Sequence, residues 1–367
     1  MNQLTQEFPP TRAKPRQRGV PPIFIATDHP YSVMTVAISL QLLGYTSTIT
    51  PGSAILMRKF IIFAIAGALL PLASLATAAD GGWLRGSCAS GTGTYRWTDG
   101  TRYEGQCQNN FFQGQGTLTL PNGDRYIGQF SRDQKNGQGS YLFANGDRFE
   151  GNFSNGRRNG AGTLVRANGD RFQGNYRNDQ RNGQGTFLFA NGDRYQGNWS
   201  GDRYNGQGTY IYSNGDQYNG QWRNGVKTGQ GTFTYANGDR YQGDFSNDER
   251  NGRGTLTWAN GNKYEGQWRS GQQQGEGTKT WSNGERYEGS WQNNQMQGQG
   301  KYFYANGNHF EGEFRADQLH GNGVYYYTNG DRYEGPWVRG ERHGTGRYFD
   351  SKGNSQSMEF SNGRRAG

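Results

Sequence analysis

The sequence predicts an all-β protein: an elongated, single-layer antiparallel sheet of stacked 23-residue β-hairpins. Three observations predict it. An aromatic residue returns every 23 positions without a slip, at Tyr103, Tyr126, Phe149, Phe172, Tyr195, Tyr218, Tyr241, Tyr264, Tyr287, Phe310 and Tyr333. A glycine stands two positions after each of them, from Gly105 to Gly335. Asn-Gly closes ten of the eleven units. So short and regular a period marks stacked repeats rather than one central core.

Composition agrees. Apolar residues make up 31% of the 367-residue chain and glycine contributes 61 copies, too polar and too small a set to fill a thick interior. Aromatic residues reach 14%, which disordered chains do not. The net charge is +9, but six Lys/Arg against two Asp/Glu fall before Asp80. Only +5 is left for the repeats, where no Lys/Arg block occurs. Nucleic-acid binding wants a clustered basic stripe, so no nucleic-acid partner is expected. A mild positive charge is compatible with an anionic membrane surface or polysaccharide as partner.

In chain order, residues 1–56 have no period and carry Pro9, Pro10, Pro15, Pro21 and Pro22. They read as a non-native upstream extension, with translation starting at Met57, or as a disordered segment. Residues 57–79 read as a secretory signal peptide: Arg58 and Lys59, an apolar run from Phe60 to Leu75, then Ala76-Thr77-Ala78. The alternative is a membrane anchor through an uncleaved 60–75 segment, although that run is shorter than the ~20 residues a span needs. An exported protein is therefore expected: periplasmic, in the cell envelope, or secreted. Residues 80–102 form a partial N-terminal repeat or cap, 103–355 hold eleven full units, and 356–367 form a degenerate C-terminal cap. Degenerate ends suit a stack whose last units face water.

Number each unit from its aromatic residue. Position 3 is Gly. Position 5 is mostly Trp or Phe, as in Phe130, Phe153, Trp199, Trp222, Trp268, Trp291 and Trp337. Positions 12 and 14 are Gly, and 16 and 18 are usually aromatic or Leu. Alternation puts positions 1, 3 and 5 on one face and the polar positions 2 and 4 on the other. Asn-Gly at 20 and 21 signals a hairpin turn, because both residues tolerate positive φ. A two-residue loop sets position 17 opposite the next aromatic. A three-residue Asn-Gly-Asp loop sets 18 opposite 1, 16 opposite 3 and 14 opposite 5. The second is preferred, because it lays rings over cross-strand glycines. At about 9.6 Å per hairpin, twelve units extend about 110 Å.

The pattern Tyr-Glu-Gly-x-Trp, then Gly-x-Gly-Thr, then Asn-Gly, resembles the MORN (membrane occupation and recognition nexus) repeat. Tyr264-Glu265-Gly266-Gln267-Trp268, Tyr287-Glu288-Gly289-Ser290-Trp291 and Tyr333-Glu334-Gly335-Pro336-Trp337 carry the likeness, which covers about residues 81–363. The resemblance implies an open, twisted sheet of hairpins used for protein contacts and, in some members, acidic phospholipids. Cys107 departs from it by replacing the position-5 ring.

Candidate chemistry is sparse. Asp-Arg pairs such as Asp124-Arg125 and Asp193-Arg194 close most units; they read as a turn Asp with an Arg pairing laterally on the solvent face. The acidic residues form surface columns and do not converge, so no catalytic, cofactor or metal residues are assigned and no enzyme is expected. His320 and His343 share a column without a third ligand. Cys88 and Cys107 are candidates for a disulfide stapling the N-terminal cap in an exported protein. The structural aromatics are Tyr103, Tyr126, Tyr195, Tyr218, Tyr241, Tyr264, Tyr287 and Tyr333 with Trp199, Trp222, Trp268, Trp291 and Trp337. Their face is expected to pack on itself or in a homodimer. The functional reading is an exported non-catalytic scaffold for protein or membrane-surface contacts. Its alternative is a carbohydrate-binding module using the aromatic columns.

Overall fold

The computed structural model of the protein describes residues 81–366. The expectations for residues 1–56 and 57–79 lie outside the described residues. Within them the chain forms 27 strands and no helix, all in one antiparallel sheet. The first full unit shows the pattern: Arg102–Gln108 and Phe111–Thr119 form a hairpin, and Arg125–Ser131 adds to its edge.

Two turns alternate along the ribbon. Within each unit the turn is two residues at positions 7 and 8. In most units both are non-glycine residues with positive φ, as at Asn109 (51°) and Asn110 (62°) or Asn178 (49°) and Asp179 (69°). That geometry matches the right-handed strand twist. Between units, Leu120 and Asp124 close a three-residue loop of Pro121, Asn122 and Gly123, with Gly123 at φ 96°.

The loop is three residues long, as expected, but its register differs. Glycine at position 21 must be the last loop residue, because it supplies the left-handed step that returns the chain to the sheet. Position 22 therefore belongs to the strand side, and the pairing slips by one residue on each strand. Position 16 faces position 1, 14 faces 3, and 12 faces 5, as in Tyr210–Tyr218, Gly208–Gly220 and Gly206–Trp222. Within a unit the same 16–1 and 14–3 pairs recur, and a bulge around position 12 brings position 10 opposite position 5, as in Lys227–Trp222.

Glycine thus faces glycine on consecutive strands from Gly93 to Gly335, an unbroken row across the sheet. The position-1 ring lies flat along this row. A Cβ on Gly231 would stand 2.6 Å from the Tyr218 ring. The tyrosine hydroxyl reaches over the glycines and donates to the position-4 carbonyl, at 3.0 Å from Tyr218 to Gln221. The expectation that rings occupy hollows left by glycine holds, with the ring lying over the row formed by its own hairpin.

At the C-terminal end the row stops where Gly346 faces Met358. There Pro336 takes position 4, and the second strand is divided into Glu341–Arg342 and Gly344–Phe349. Buried Tyr333 Oη and Trp337 Nε1 lose the partners that their counterparts have elsewhere. This joint is the least satisfied of the full units.

Candidate functional site

The aromatic face seals itself. Each position-1 ring meets the position-5 ring of the next unit edge to face, and all but Tyr103, whose own position 5 is Cys107, also meet that of their own unit. The zigzag runs without a gap from Tyr103 to Phe360, with centroids 4.9–5.6 Å apart and planes crossing at 75–90°. Such edge contacts are the favoured geometry of aromatic quadrupoles. Tryptophans at position 5 also donate Nε1–H to the position-14 glycine carbonyl of the preceding unit, at 3.0–3.2 Å. The rings of the position-1 column from Tyr103 to Tyr333 are at most 1% exposed, and those of Trp199, Trp222, Trp268, Trp291 and Trp337 at most 5%. A single-layer sheet therefore has a buried core on one side, built by rings lying over backbone and over one another. No second copy is needed to cover them.

Burial shifts the phenols. It pushes Tyr103 up to about 12, helped by Asp133, and Tyr126 up to about 12. Tyr195, Tyr218, Tyr241 and Tyr264 are pushed higher still, chiefly by burial. Unfolded tyrosines ionise near pH 10. Stability is then complete below about pH 10 and is lost as pH rises through about 12, because only the unfolded chain releases these protons early. In an alkaline titration, these position-1 tyrosines are expected to ionise together with loss of the β signal. Their ionisation near pH 10 with the sheet intact would contradict the burial.

Position 10 was missed in the sequence. Lys135, Arg158, Arg181, Lys227, Arg250 and Arg342 recur there and lie against the apolar side. Arg181 sits 4.4 Å from the Trp199 ring centroid, and Arg250 4.3 Å from that of Trp268. Several reach a carboxylate at position 8 of the next unit: Arg158–Asp179 at 3.2 Å, Arg181–Asp202 at 2.9 Å, Lys227–Asp248 at 3.8 Å. The same carboxylates accept the position-10 backbone N–H, at 2.8–3.0 Å. The signal was the 23-residue spacing of the cations. An apolar face gave no reason to look for them. They lie against rings, and Arg158, Arg181 and Lys227 also tie unit to unit.

The closing Asp-Arg pairs divide their roles. Asp193 accepts from Ser213 N–H at 2.7 Å and from Tyr210 Oη–H at 2.8 Å, both in the next unit. Burial raises its pKa, but these bonds and that from Asn191 outweigh burial and hold it below the usual carboxylate range. Where position 2 is Glu, the arginine of the pair reaches along its own strand, not laterally as expected: Arg148 pairs with Glu150, and Arg332 with Glu334 at 2.6 Å. An antiparallel neighbour presents position 17 there, which is seldom charged.

At the N-terminal end Cys107 stands where the position-5 ring would be. It is bonded to Cys88, with Cα atoms 4.8 Å apart and 19 residues between them in sequence number. A loop of that length is stabilised by about 3 kcal/mol in the chain-entropy picture. Denatured, unreduced protein from an oxidising compartment is expected to show no titratable thiol. Two reactive thiols would contradict the bond.

The other face is exposed and polar. Rows of Gln, Asn and Thr flank the backbone of the glycine row. A shallow hollow of about 630 Å³ lies there between Gln242, Arg253 and Glu265, and another of about 450 Å³ between Glu150, Asn152 and Thr163. Both are open to solvent, and neither gathers an acid, a base and a nucleophile. Among the described residues no three His, Cys, Asp or Glu side chains converge on a metal position.

The family model for the MORN repeat matches residues 89–102 and then every unit from 103–125 to 333–355, twelve consecutive matches. No curated protein sequence matches the chain. Among solved structures, the SAS-4 TCP domain of Drosophila melanogaster is 15% identical, with 49% of this chain and 99% of that chain covered and a TM-score of 0.29. The CPAP TCP10 domain of Danio rerio is 12% identical over 60% and 99%, with a TM-score of 0.30. Virginiamycin B lyase from Staphylococcus aureus is 13% identical over 77% and 96%, with a TM-score of 0.14. Likenesses at these scores carry no functional weight.

Proposed function

The chain belongs to the MORN-repeat family, and from that premise we propose that it is an exported, non-catalytic scaffold that holds a protein partner or an anionic membrane surface against its polar face. One observation carries the reading. The aromatic side is consumed by its own packing, with position-1 rings at most 1% exposed, so contacts fall to the flat face that repeats unit after unit. A face without a water-excluding cleft suits binding more than catalysis.

Flotation with anionic vesicles at two salt concentrations tests the membrane arm. Charge-driven binding weakens at high salt, whereas salt-independent capture of a protein partner supports scaffolding. Failure of both removes the reading. Export is tested by N-terminal sequencing of the mature protein, which is expected to begin near Asp80. A mature protein retaining residues before Met57 would contradict it.

The carbohydrate alternative needs rings that other side chains leave accessible. Positions 1 and 5 are covered, but position-18 rings such as Phe189, Tyr212, Trp258 and Tyr304 stay half-buried at the edge of the aromatic face. Glycan capture lost on Trp258→Ala would favour it.

A further inference from the structure

Lys279 is the exception in the position-16 column, which is Tyr, Phe or Leu in every other unit from Tyr95 to Tyr348. It faces Tyr264 and Tyr287 on the two neighbouring strands. Its ammonium lies 4.8 Å from the Trp281 ring centroid, 5.5 Å from that of Trp258 and 5.9 Å from that of Trp291. Three tryptophans thus gather around one half-buried cation.

The acids that meet polar groups elsewhere on this face are replaced by amides here. A hydroxyl at position 16 reaches the position-22 acid of the preceding unit, as Tyr210 reaches Asp193 at 2.8 Å and Tyr302 reaches Glu285 at 2.9 Å. For Lys279 that residue is Asn262, whose Oδ1 accepts from Ser282 N–H at 2.9 Å. Position 8 of the next unit is Asn294, which accepts from the backbone N–H of neutral Gln273 at 2.8 Å. Asp317 is the carboxylate whose field reaches Lys279, but it stands beyond ion-pair distance and accepts from Met296 N–H at 2.8 Å. Burial lowers the Lys279 pKa, and Asp317 offsets that only in part. A cation taken out of water is ordinarily paired, because ring faces alone return less than desolvation costs.

We propose that Lys279 is the anion-recognition point of a glycan site, and that its ligand is a linear β-1,4-linked chain carrying carboxylates, a polyuronate. The inference rests on the carbohydrate reading above and names the class of sugar. The position-18 rings Tyr235 and Trp258 border the cation on one side, Tyr304 and Tyr327 on the other, one per hairpin and all half-buried. Their spacing of about 9.6 Å is close to the length of a disaccharide in an extended β-1,4-linked chain, so alternate sugars meet a ring. Trp281, in the middle of the row, is only 8% exposed. There Lys279 takes the place of a ring and offers a charge-assisted hydrogen bond to a sugar carboxylate. A neutral chain laid over the same rings would cover the ammonium without pairing it, which disfavours that chain.

Calorimetric titration of the protein with oligomannuronate and with neutral mannooligosaccharide of the same length tests it, because the two chains share linkage and ring faces and differ at the carboxylate. The uronate is expected to bind at least about tenfold more tightly, and less tightly as salt rises. Lys279→Leu places there a residue that other units carry at position 16, so the sheet should melt no lower, yet the preference for uronate should vanish. Lys279→Arg should keep it. Asn262→Asp supplies an internal counterion and should weaken uronate binding about tenfold while leaving the neutral chain unaffected. A merely structural lysine would move none of these preferences. Equal binding of the two chains, or a uronate preference that survives Lys279→Leu, would overturn the proposal and leave the carbohydrate reading standing. Binding of neither chain would remove both.

Discussion

Gly231→Val is expected to divide the ribbon into two independently melting parts. Its Cβ would stand 2.6 Å from Cε2 and Oη of Tyr218. The ring has nowhere to go. It is fully buried, wedged between Trp222 at 5.1 Å and Phe245 at 5.0 Å, and tied to the Gln221 carbonyl at 3.0 Å. Gly231 has no left-handed backbone, so the cost comes from collision alone. Overpacking of this kind costs about 3 kcal/mol or more. Because each unit is stabilised only by its neighbours, loss of one joint uncouples the flanks. Thermal melting followed by β signal is expected to show two transitions, with protease cleavage opening first between 218 and 245. Gly340→Asn is the contrast. That turn has φ 85° and open space around it, and Asn tolerates the left-handed region, so the melt should barely move. A single unshifted melt for Gly231→Val would refute the steric account.

Trp222→Ala is expected to cost about 3–5 kcal/mol, the range for truncating a large buried ring. Trp222 links Tyr195 at 5.6 Å to Tyr218 at 5.1 Å, lies 5.2 Å from Tyr204, and donates to the Gly208 carbonyl at 3.1 Å. Alanine removes two links of the zigzag and the hydrogen bond together. Trp222→Phe keeps the edge contacts, as Phe130, Phe153 and Phe245 do naturally. It should cost only about 1 kcal/mol, mostly the lost indole bond. Denaturant melts of the two variants check the difference. Equal losses would mean that the ring zigzag contributes little beyond the single hydrogen bond.

Much of this architecture was legible because repetition amplifies weak local signals. One Tyr-x-Gly means little, but eleven in phase place ring and hollow on one face. The hairpins, the aromatic face and the glycine role followed from period-2 alternation. The register did not. Asn-Gly allows more than one loop, and the choice depends on where the left-handed glycine must sit and on what Asp193 binds twenty residues later at Ser213. The position-10 cations were also hidden. Alternation assigns Arg181 and Lys227 to the apolar side, and only the structure shows them beside rings and paired with Asp202 and Asp248. The polar face was least legible. It joins residues such as Arg171 and Val165 that are neighbours only once the register is known.

A double-mutant cycle at Tyr218 and Gly231 tests the central claim most directly, because it measures whether the ring is what forbids a side chain in the glycine row. Gly231→Ala alone is expected to cost about 2 kcal/mol. Made in a Tyr218→Ala background, where the ring is gone, it should cost close to nothing, giving a coupling of at least about 1.5 kcal/mol. If the two losses instead add to within about 0.5 kcal/mol, the glycines are present for some reason other than the rings that lie over them.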